Sequence, residues 1–236
     1  MRDKSSRRER YTVTTMTTTG GPATAAAPGP ATAAAAEESG GAFGRDGRQR
    51  LLDALAASIV QEGYRTTTVA DIVRRARTSR RTFYEHFESK EACFIALLTD
   101  ANAQTVRQVT AAVDPNAPWR KQVRQAVEAW IGCAESEPAI TLSWIRDMPS
   151  LGAAARSLQR EMMEAFIVMV QTLCDTGELR AAGVGPVSRQ LAVMLLGGLR
   201  ELAATTVEDG GRISDVSATA VRASIALLGP RAEETD

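Results

Sequence analysis

Five arginines stand close together between residues 74 and 81 of this 236-residue chain, and hydroxyl side chains lie among and just after them. A guanidinium carries a fixed charge and a fork of N–H donors that can grip a phosphate or the edge of a guanine base. Nearby hydroxyls can donate to phosphate oxygens. The mixture indicates contact with a nucleic acid, and a solvated arginine-rich helix corner is the alternative interpretation. The residues are Arg74, Arg75, Arg77, Arg80, Arg81, Thr78, Ser79, Thr82 and Tyr84.

Catalytic and metal-binding chemistry finds little support in the sequence. His86 is the only histidine, and no carboxylate or cysteine stands at ligand spacing from it. Cys93, Cys133 and Cys174 are far apart, which favours small buried apolar residues, with a redox sensor as the alternative. No nucleophile elbow, phosphate loop or metal motif appears. We therefore expect no enzyme, no metal site and no cofactor.

Two short helices precede the arginine-rich stretch. Apolar residues at helical spacing predict a first helix from near Asp46 to Gly63, where a glycine suits the residue after a helix end. Thr68 followed by Asp71 forms a capping-box pattern, which predicts a second helix over residues 69–76.

A third short helix carries the second half of the stretch. Ser79 can cap it, and Phe83 and Phe87, four residues apart, give it one apolar side. Three short helices, the second and third joined by a tight turn, predict a helix-turn-helix. The helix over residues 79–86 is its candidate recognition helix, with an N-terminus whose dipole favours phosphate.

Helical patterning continues to the end of the chain, and no strand-like alternation is sustained. We predict an all-α fold of about nine helices. In the second half, Gly177 is predicted to end a long helix, Pro186 to open the next, and Ser214 to cap the last.

The net charge of the chain is zero, but the two kinds of charge are unevenly distributed. Residues 45–98 carry ten basic and seven acidic side chains, whereas residues 99–236 carry thirteen basic and seventeen acidic side chains. This asymmetry fits a DNA-reading head on an acidic body, with random scatter of surface charge as the alternative.

Residues 1–44 are low in complexity, rich in Thr, Ala, Pro and Gly after Arg7, Arg8 and Arg10. Such a composition predicts a disordered arm, and either a phosphate-tracking role or an over-extended start before Met16 would explain it. Ser6-Arg7-Arg8 superficially matches a twin-arginine signal, but no apolar region follows it. No apolar run is long enough to span a bilayer, so we expect a cytoplasmic protein.

Residues 48–98 closely resemble the N-terminal domain of TetR-family regulators. The stretch reads RQRLLDALAASIVQEGYRTTTVADIVRRARTSRRTFYEHFESKEACFIALL. The resemblance is carried by motifs spread over the whole stretch: Gly63-Tyr64, Thr67-Thr68-Val69, Ile72, Ala76, Ser79, Thr82-Phe83-Tyr84, His86-Phe87 and Ser89-Lys90-Glu91. It implies a head over residues 45–98 and a helical effector-binding and dimerisation domain over residues 99–236.

The resemblance also implies that the third helix lies in the major groove of double-stranded DNA. The DNA contacts it implies are Thr68, Thr78, Ser79, Arg80, Arg81, Thr82, Tyr84, His86 and Lys90. The sequence departs from the family at Arg77, where glycine is common because the turn needs a left-handed backbone. Arginine there would carry strain of about 1 kcal/mol if it adopts that conformation, or else the turn differs in geometry.

In the C-terminal region the resemblance rests on helical pattern and length only. It implies a ligand cavity between helices and a homodimer formed by helices over residues 187–207 and 215–228. Gly197 and Gly198 would allow close approach there. A leucine-rich stripe in the first of these helices is either a dimer seam or monomer core, and its members are Leu191, Met194, Leu195, Leu199 and Leu202.

Large apolar side chains elsewhere in this region are candidate pocket walls, with plain core packing as the alternative for each. They are Trp130, Cys133, Trp144, Met148, Met162, Phe166 and Met169. Few charges fall within these stripes, so we expect a small apolar or aromatic effector. The resemblance therefore implies a ligand-responsive repressor that binds a palindromic operator as a homodimer. The alternative is a helical ligand-binding or scaffold protein that has lost sequence-specific DNA binding.

Overall fold

The chain folds as a set of α-helices joined by short connections. The computed structural model describes the backbone of residues 34–230 and the side chains of residues 46–152 and 155–230. Within that range there are ten α-helices, two 3₁₀ turns (Met148–Leu151 and Ile213–Val216) and no strand. The helices are α1 (Ala34–Glu62), α2 (Val69–Arg75), α3 (Arg80–His86), α4 (Lys90–Ala112), α5 (Trp119–Ser136), α6 (Pro138–Arg146), α7 (Ala153–Cys174), α8 (Gly177–Ala181), α9 (Arg189–Glu208) and α10 (Ser217–Leu228).

The all-α prediction is confirmed, with one helix more than expected. The additional helix is α8, and the prediction that Gly177 ends the preceding helix is wrong. Helix α7 ends at Cys174, and the Thr176 hydroxyl accepts a hydrogen bond from the Leu179 N–H, which starts a new turn at Gly177.

Two predicted helix starts in the second half are also wrong. Helix α9 begins at Arg189 rather than near Pro186, because the Ser188 hydroxyl accepts from the Leu191 N–H and so caps the helix there. Ser214 does not cap the last helix. Its N–H and hydroxyl both donate to the Glu135 carboxylate of α5, at 3.0 and 3.4 Å, and it lies in the second 3₁₀ turn.

Helix α1 begins earlier than predicted, at Ala34 instead of near Asp46. Its other end matches the prediction, since Gly63 follows the last helical residue with a positive φ of 80°. The prediction of a disordered arm over residues 1–44 is wrong for residues 34–44, which lie in α1, and its remainder lies outside the described residues.

The first four helices enclose a hydrophobic cluster that we call the head core. Its fully buried members include Leu51, Leu55, Ile72, Phe83 and Phe94. The head core also takes in apolar side chains from later in the chain, namely Ile140, Met148, Ala155 and Met162. The helix-turn-helix and the segment around α6 therefore share one core.

A second cluster, the body core, lies among α5, α7, α9 and α10. Helix α4 joins the two clusters, because Phe94 and Leu98 lie in the head core and Val109 lies in the body core. The predicted boundary between residues 98 and 99 thus falls inside a continuous helix. Trp144 of α6 packs against both cores.

Two adjacent residues at the end of α6 hold it to different parts of the molecule. The Arg146 guanidinium donates to Glu201 and Glu208 of α9 at 2.7–2.9 Å, and these hydrogen bonds hold the pKa of both carboxyls below its usual value. Asp147 accepts from Arg65, in the connector before α2, at 2.9 Å. Charge-assisted contacts therefore link this segment both to α9 and to the head.

Burial governs the cysteines. Cys93 and Cys174 are buried, and burial raises the pKa of their thiols to about 12 and about 11. Cys133 is half-buried, and its thiol donates to the Gln108 side chain at 2.9 Å. Such thiols are almost wholly protonated at neutral pH, which agrees with apolar packing roles.

No helix between residues 34 and 230 is both long and apolar enough to cross a bilayer.

Arg77 adopts the left-handed conformation, with φ of 52°, and is the only non-glycine residue of the described chain with a positive φ. The Thr78 N–H donates to the Val73 carbonyl at 3.0 Å and closes the turn between α2 and α3. The turn therefore keeps the left-handed geometry that usually takes glycine, and an arginine carries the strain.

Replacing Arg77 with glycine is expected to raise the free energy of unfolding by about 0.5–1 kcal/mol. Relief of about 1–2 kcal/mol of left-handed strain outweighs the greater freedom of glycine in the unfolded chain. Urea unfolding followed by circular dichroism measures this change. Arg77→Ala is the control, because it removes the charge and keeps the strain. Equal stabilisation by alanine would show that charge, and not the backbone, is responsible.

Candidate nucleic-acid interface and ligand cavities

A reciprocal cap fixes the start of α2. The Thr68 hydroxyl accepts from the Asp71 N–H at 3.3 Å, and the Asp71 carboxylate accepts from the Thr68 N–H at 3.0 Å. Hydrogen bonds from Thr68 hold the pKa of the Asp71 carboxyl below its usual value. The predicted capping box is present, and the exposed Thr68 stands at the entry of the helix-turn-helix.

Helix α3 presents a polar outer face on an aromatic base. The Ser79 hydroxyl accepts from the Thr82 N–H at 3.0 Å, which sets the first turn. Phe83 is fully buried, and its ring lies 5.8 Å from that of Phe87. Tyr84 meets Phe83 edge-on and is 57% exposed. The base fixes which side of α3 faces outward.

The arginines of the stretch differ in how strongly their charges are engaged. Arg74 pairs with Asp71 at 2.8 Å and Arg81 with Glu85 at 3.0 Å, both on exposed surface where such pairs are weak. Arg75 donates to Ser58 of α1, so it is held within the head. Among the described residues, Arg77 and Arg80 have no ion-pair partner. Arg80 is therefore the most available cation at the start of α3.

Lys90 has a structural role that the sequence did not indicate. Its ammonium donates to the carbonyls of Tyr64 and Thr67, at 3.0 and 2.9 Å, and lies 4.3 Å from the Tyr64 ring centre. These contacts close the connector between α1 and α2. Two of its three donors are thus occupied, and the predicted phosphate contact depends on the third.

His86 packs against α1 at the C-terminal end of α3. A side-chain carbon added at Gly47 would lie 3.0 Å from the His86 Nε2, so the glycine permits this close contact. His86 and Thr78 are half-buried, whereas Ser79, Arg80, Arg81 and Tyr84 are exposed. No group of three or more metal-ligating side chains occurs among the described residues. The geometry thus gives His86 a packing role between α1 and α3.

A cavity of about 60 Å³, here called the apolar cavity, lies within the body core. Of the predicted pocket residues, Trp130 and Met169 line it. Its one polar residue, Gln122, is fully engaged: it donates to the carbonyls of Pro115 and Ala117 and accepts from the Thr176 hydroxyl. Most of the lining is aliphatic and was not predicted, including Val109, Val123, Val127, Leu195 and Leu199.

A second cavity of about 70 Å³, here called the mixed cavity, lies between α4, α5 and α6. Trp130, Cys133 and Trp144 line it, as predicted pocket residues, together with Asn102, Thr105 and Thr141. Three further predicted pocket residues, Met148, Met162 and Phe166, are buried core residues that line neither cavity. Side chains from several helices enclose each of these spaces, so periodicity alone could not identify their walls.

Helix α9 divides the leucine-rich stripe between two faces. Leu195 and Leu199 are buried in the body core, whereas Met194 is 66% and Val193 41% exposed. Gly197 and Gly198 are exposed on the same outer side, one turn further on. We call these four residues the α9 outer face.

Residues 51–97 match the family described as "Bacterial regulatory proteins, tetR family". The match covers α2, α3, the second part of α1 and the first part of α4, where the predicted signature lies. The head of the chain belongs to the tetR family. Beyond the head the likeness is one of fold: two solved structures described as tetR-family regulators superpose on 79% and 78% of the chain, with TM-scores of 0.62 and 0.59 at 16% and 18% identity.

Two curated relatives show how this chain compares in sequence. It is 20% identical to the HTH-type transcriptional regulator YhgD of Bacillus subtilis over 152 residues, which is 64% of this chain and 78% of YhgD. It is 31% identical to the HTH-type transcriptional activator FasR of Mycolicibacterium smegmatis over 90 residues, or 38% of this chain and 41% of FasR.

One solved structure shows a similar fold in a regulator with a bound ligand. The transcriptional regulator FadR of Bacillus subtilis, solved in complex with stearoyl-CoA, superposes with a TM-score of 0.65 at 14% identity. The match covers 75% of this chain and 97% of FadR. The likeness at this identity is one of fold.

Proposed function

We propose that this transcriptional regulator is a ligand-responsive repressor that binds a palindromic operator as a homodimer and is released by a small apolar effector. The outer face of α3 carries the proposal. Arg80, Arg81 and Tyr84 are exposed there, and the buried Phe83 holds the helix from behind. Such a helix can enter the major groove with its N-terminal side chains on base edges.

The α9 outer face supports a homodimer. Met194 and Val193 present apolar surface to solvent, and Gly197 and Gly198 leave room for a second helix to approach. On α10, three small residues are also exposed: Ala218, Ala223 and Ala226. A two-fold dimer would place two recognition helices about 34–36 Å apart, one turn of DNA, which requires a palindromic operator.

The two cavities support an apolar effector. The FadR complex with stearoyl-CoA shows that this fold accommodates an acyl ligand in a relative, and the apolar cavity here has an aliphatic lining. An effector that binds better to a conformation with misplaced heads would release DNA by population shift. Filling either cavity also affects α4, the helix common to both cores.

Selection of bound DNA from a random pool, with the full chain as bait, tests this function. We expect an inverted repeat whose half-sites are centred about one helical turn apart. The affinity should fall steeply with added salt, because several phosphates are neutralised on binding. No enrichment over bulk DNA at moderate salt would contradict the proposal and leave a helical ligand-binding protein.

Arg80→Ala is expected to weaken operator binding by about 1–3 kcal/mol and to relax the preference at one base pair. Arg80 is exposed at the start of α3 and has no ion-pair partner among the described residues, so its guanidinium is available to a base edge. Fluorescence anisotropy with the selected operator measures the loss. Arg107→Ala is the matched control, since Arg107 is an exposed arginine on the body part of α4. Equal losses in the two variants would mean that only overall charge matters.

A further inference from the structure

Four buried side-chain polar atoms have no hydrogen-bond partner among the described residues, and two of them belong to residues that line the mixed cavity. They are the Asn102 Oδ1 of α4, an acceptor, and the Trp144 Nε1 of α6, a donor. Buried polar groups are normally paired, because an unpaired one costs about 1–3 kcal/mol. Two residues with such atoms in the lining of one cavity indicate a binding site.

The orientation of the Asn102 amide follows from its neighbour. Its Nδ2 donates to the Met162 carbonyl at 3.5 Å, and a carbonyl can only accept. Exchanging the amide nitrogen and oxygen would place two acceptors together. The unpaired atom of Asn102 is therefore the oxygen.

Other polar groups of the mixed cavity already have partners. The Thr105 hydroxyl donates to the Ala101 carbonyl, the Thr141 hydroxyl to the Ala134 carbonyl and the Cys133 thiol to Gln108. Neither cavity has a Lys, Arg, His, Asp or Glu in its lining. An anionic group would stay unpaired there, and burying an unpaired charge is strongly unfavourable.

Trp130 lines both cavities, so its side chain adjoins both spaces. On one side the surface is aliphatic and its single polar residue is satisfied. On the other side one donor and one acceptor lack partners. A ligand that spans both sides needs an apolar tail and a polar head.

We propose that the effector is a neutral amphipathic molecule with an aliphatic tail in the apolar cavity. Its head, placed in the mixed cavity, donates a hydrogen bond to Asn102 Oδ1 and accepts one from Trp144 Nε1. A primary carboxamide has this pattern, whereas a carboxylate has acceptors and a charge only. The inference rests on the proposed function, since it names the class of molecule that the regulator senses.

Such a head would also contact residues that support the DNA-binding helices. Leu98 and Ile140 line the mixed cavity and belong to the head core. The ligand therefore touches the packing beneath the helix-turn-helix directly. A shift of α4 or α6 on ligand binding therefore reaches the head core directly, without any change in the apolar cavity.

Calorimetric titration of the full chain with hexanamide and with hexanoate tests the proposal, because the two probes share size and tail and differ in head. We expect saturable binding of hexanamide and at least tenfold weaker binding of hexanoate. Trp144→Phe keeps the aromatic ring and loses the donor, and Asn102→Leu keeps the volume and loses the acceptor. Each should weaken hexanamide binding by about three- to tenfold.

Trp119→Phe is the matched control, because Trp119 lines neither cavity, and it should leave the affinity for hexanamide unchanged. Thermal unfolding of each variant without probe separates a folding defect from a binding defect. Absent hexanamide binding up to millimolar concentration, or undiminished binding in both cavity variants, would overturn the proposal. Preference for hexanoate would also overturn it and would point to Arg200, whose guanidinium lies 4.3 Å from the Trp144 ring centre.

The outcome is separable from that of the proposed function. Operator binding without hexanamide binding would refute the inference and leave the regulator intact. Hexanamide binding by a chain that recognises no operator would support the ligand class and refute the DNA-binding role.

Discussion

Gly197→Arg is expected to convert the proposed dimer into a monomer and to reduce operator affinity by about 100- to 10,000-fold, because the two heads would no longer bind as one unit. Within a single chain the substitution is harmless. A side-chain carbon at position 197 would meet no atom within 4 Å, and arginine favours a helix interior by roughly 1 kcal/mol more than glycine. Only a second chain against the α9 outer face would be displaced.

Sedimentation velocity and operator titration measure the two consequences. Gly132→Arg is a closely matched control, since Gly132 is also an exposed glycine within a helix, α5, with no atom within 4 Å of an added carbon. The control should remain a dimer and bind the operator normally. A Gly197→Arg protein that is still dimeric would place the interface elsewhere and refute the assignment of the α9 outer face.

Phe83→Ala is expected to lower the free energy of unfolding by about 3–5 kcal/mol, which is a large part of the 5–15 kcal/mol typical of a domain. Phe83 is fully buried in the head core, and its ring supports both Tyr84 and Phe87. Its removal leaves a cavity beneath α3. Operator binding should be lost together with the fixed orientation of that helix.

The neighbouring substitution Tyr84→Ala distinguishes a residue that supports α3 from one that contacts DNA. Tyr84 is 57% exposed, so its loss should cost about 1 kcal/mol or less, mainly the edge-on contact with Phe83. Operator affinity should nevertheless fall by about two- to tenfold if its hydroxyl reaches a phosphate. Urea unfolding and anisotropy titration give both quantities. Unfolding of Phe83→Ala at the same urea concentration as the unsubstituted protein would refute the role of the aromatic base.

Sequence reasoning succeeded where a few neighbouring residues decide the structure. Thr68 with Asp71 and Ser79 with Thr82 form the helix caps that were predicted. In each cap the two partners are three residues apart, so pattern and propensity were sufficient. At Arg77 the sequence left two turn geometries open, and the structure has the left-handed one.

It failed where a distant residue decides the structure. Ser214 would be a good helix cap, but Glu135, far away along the chain, takes its N–H and hydroxyl instead. The sequence also contained no sign that the Tyr64 and Thr67 carbonyls occupy two of the donors of Lys90, whose phosphate contact stays a prediction. No local pattern contains such information.

Sequence reasoning was limited in the same way for the residues that line the two cavities. Trp130 and Trp144 were identified by residue type, because large aromatic side chains are common in pocket walls. Asn102 was missed, since an isolated asparagine within a helix gives no signal in a single sequence. Its importance depends on the Oδ1 having no partner among the described residues, which is a property of the packed structure.

Met148 and Ile140 complete the head core from outside the helix-turn-helix. A chimera made by cutting after residue 98 would deprive Phe94 and Leu98 of these neighbours and would divide α4 within its length. Specificity should therefore be transferred between such regulators by exchanging the outward side chains of α3 alone. A transplanted segment of residues 45–98 would reach its new host as an incomplete folding unit, with apolar surface that the host would have to be redesigned to cover.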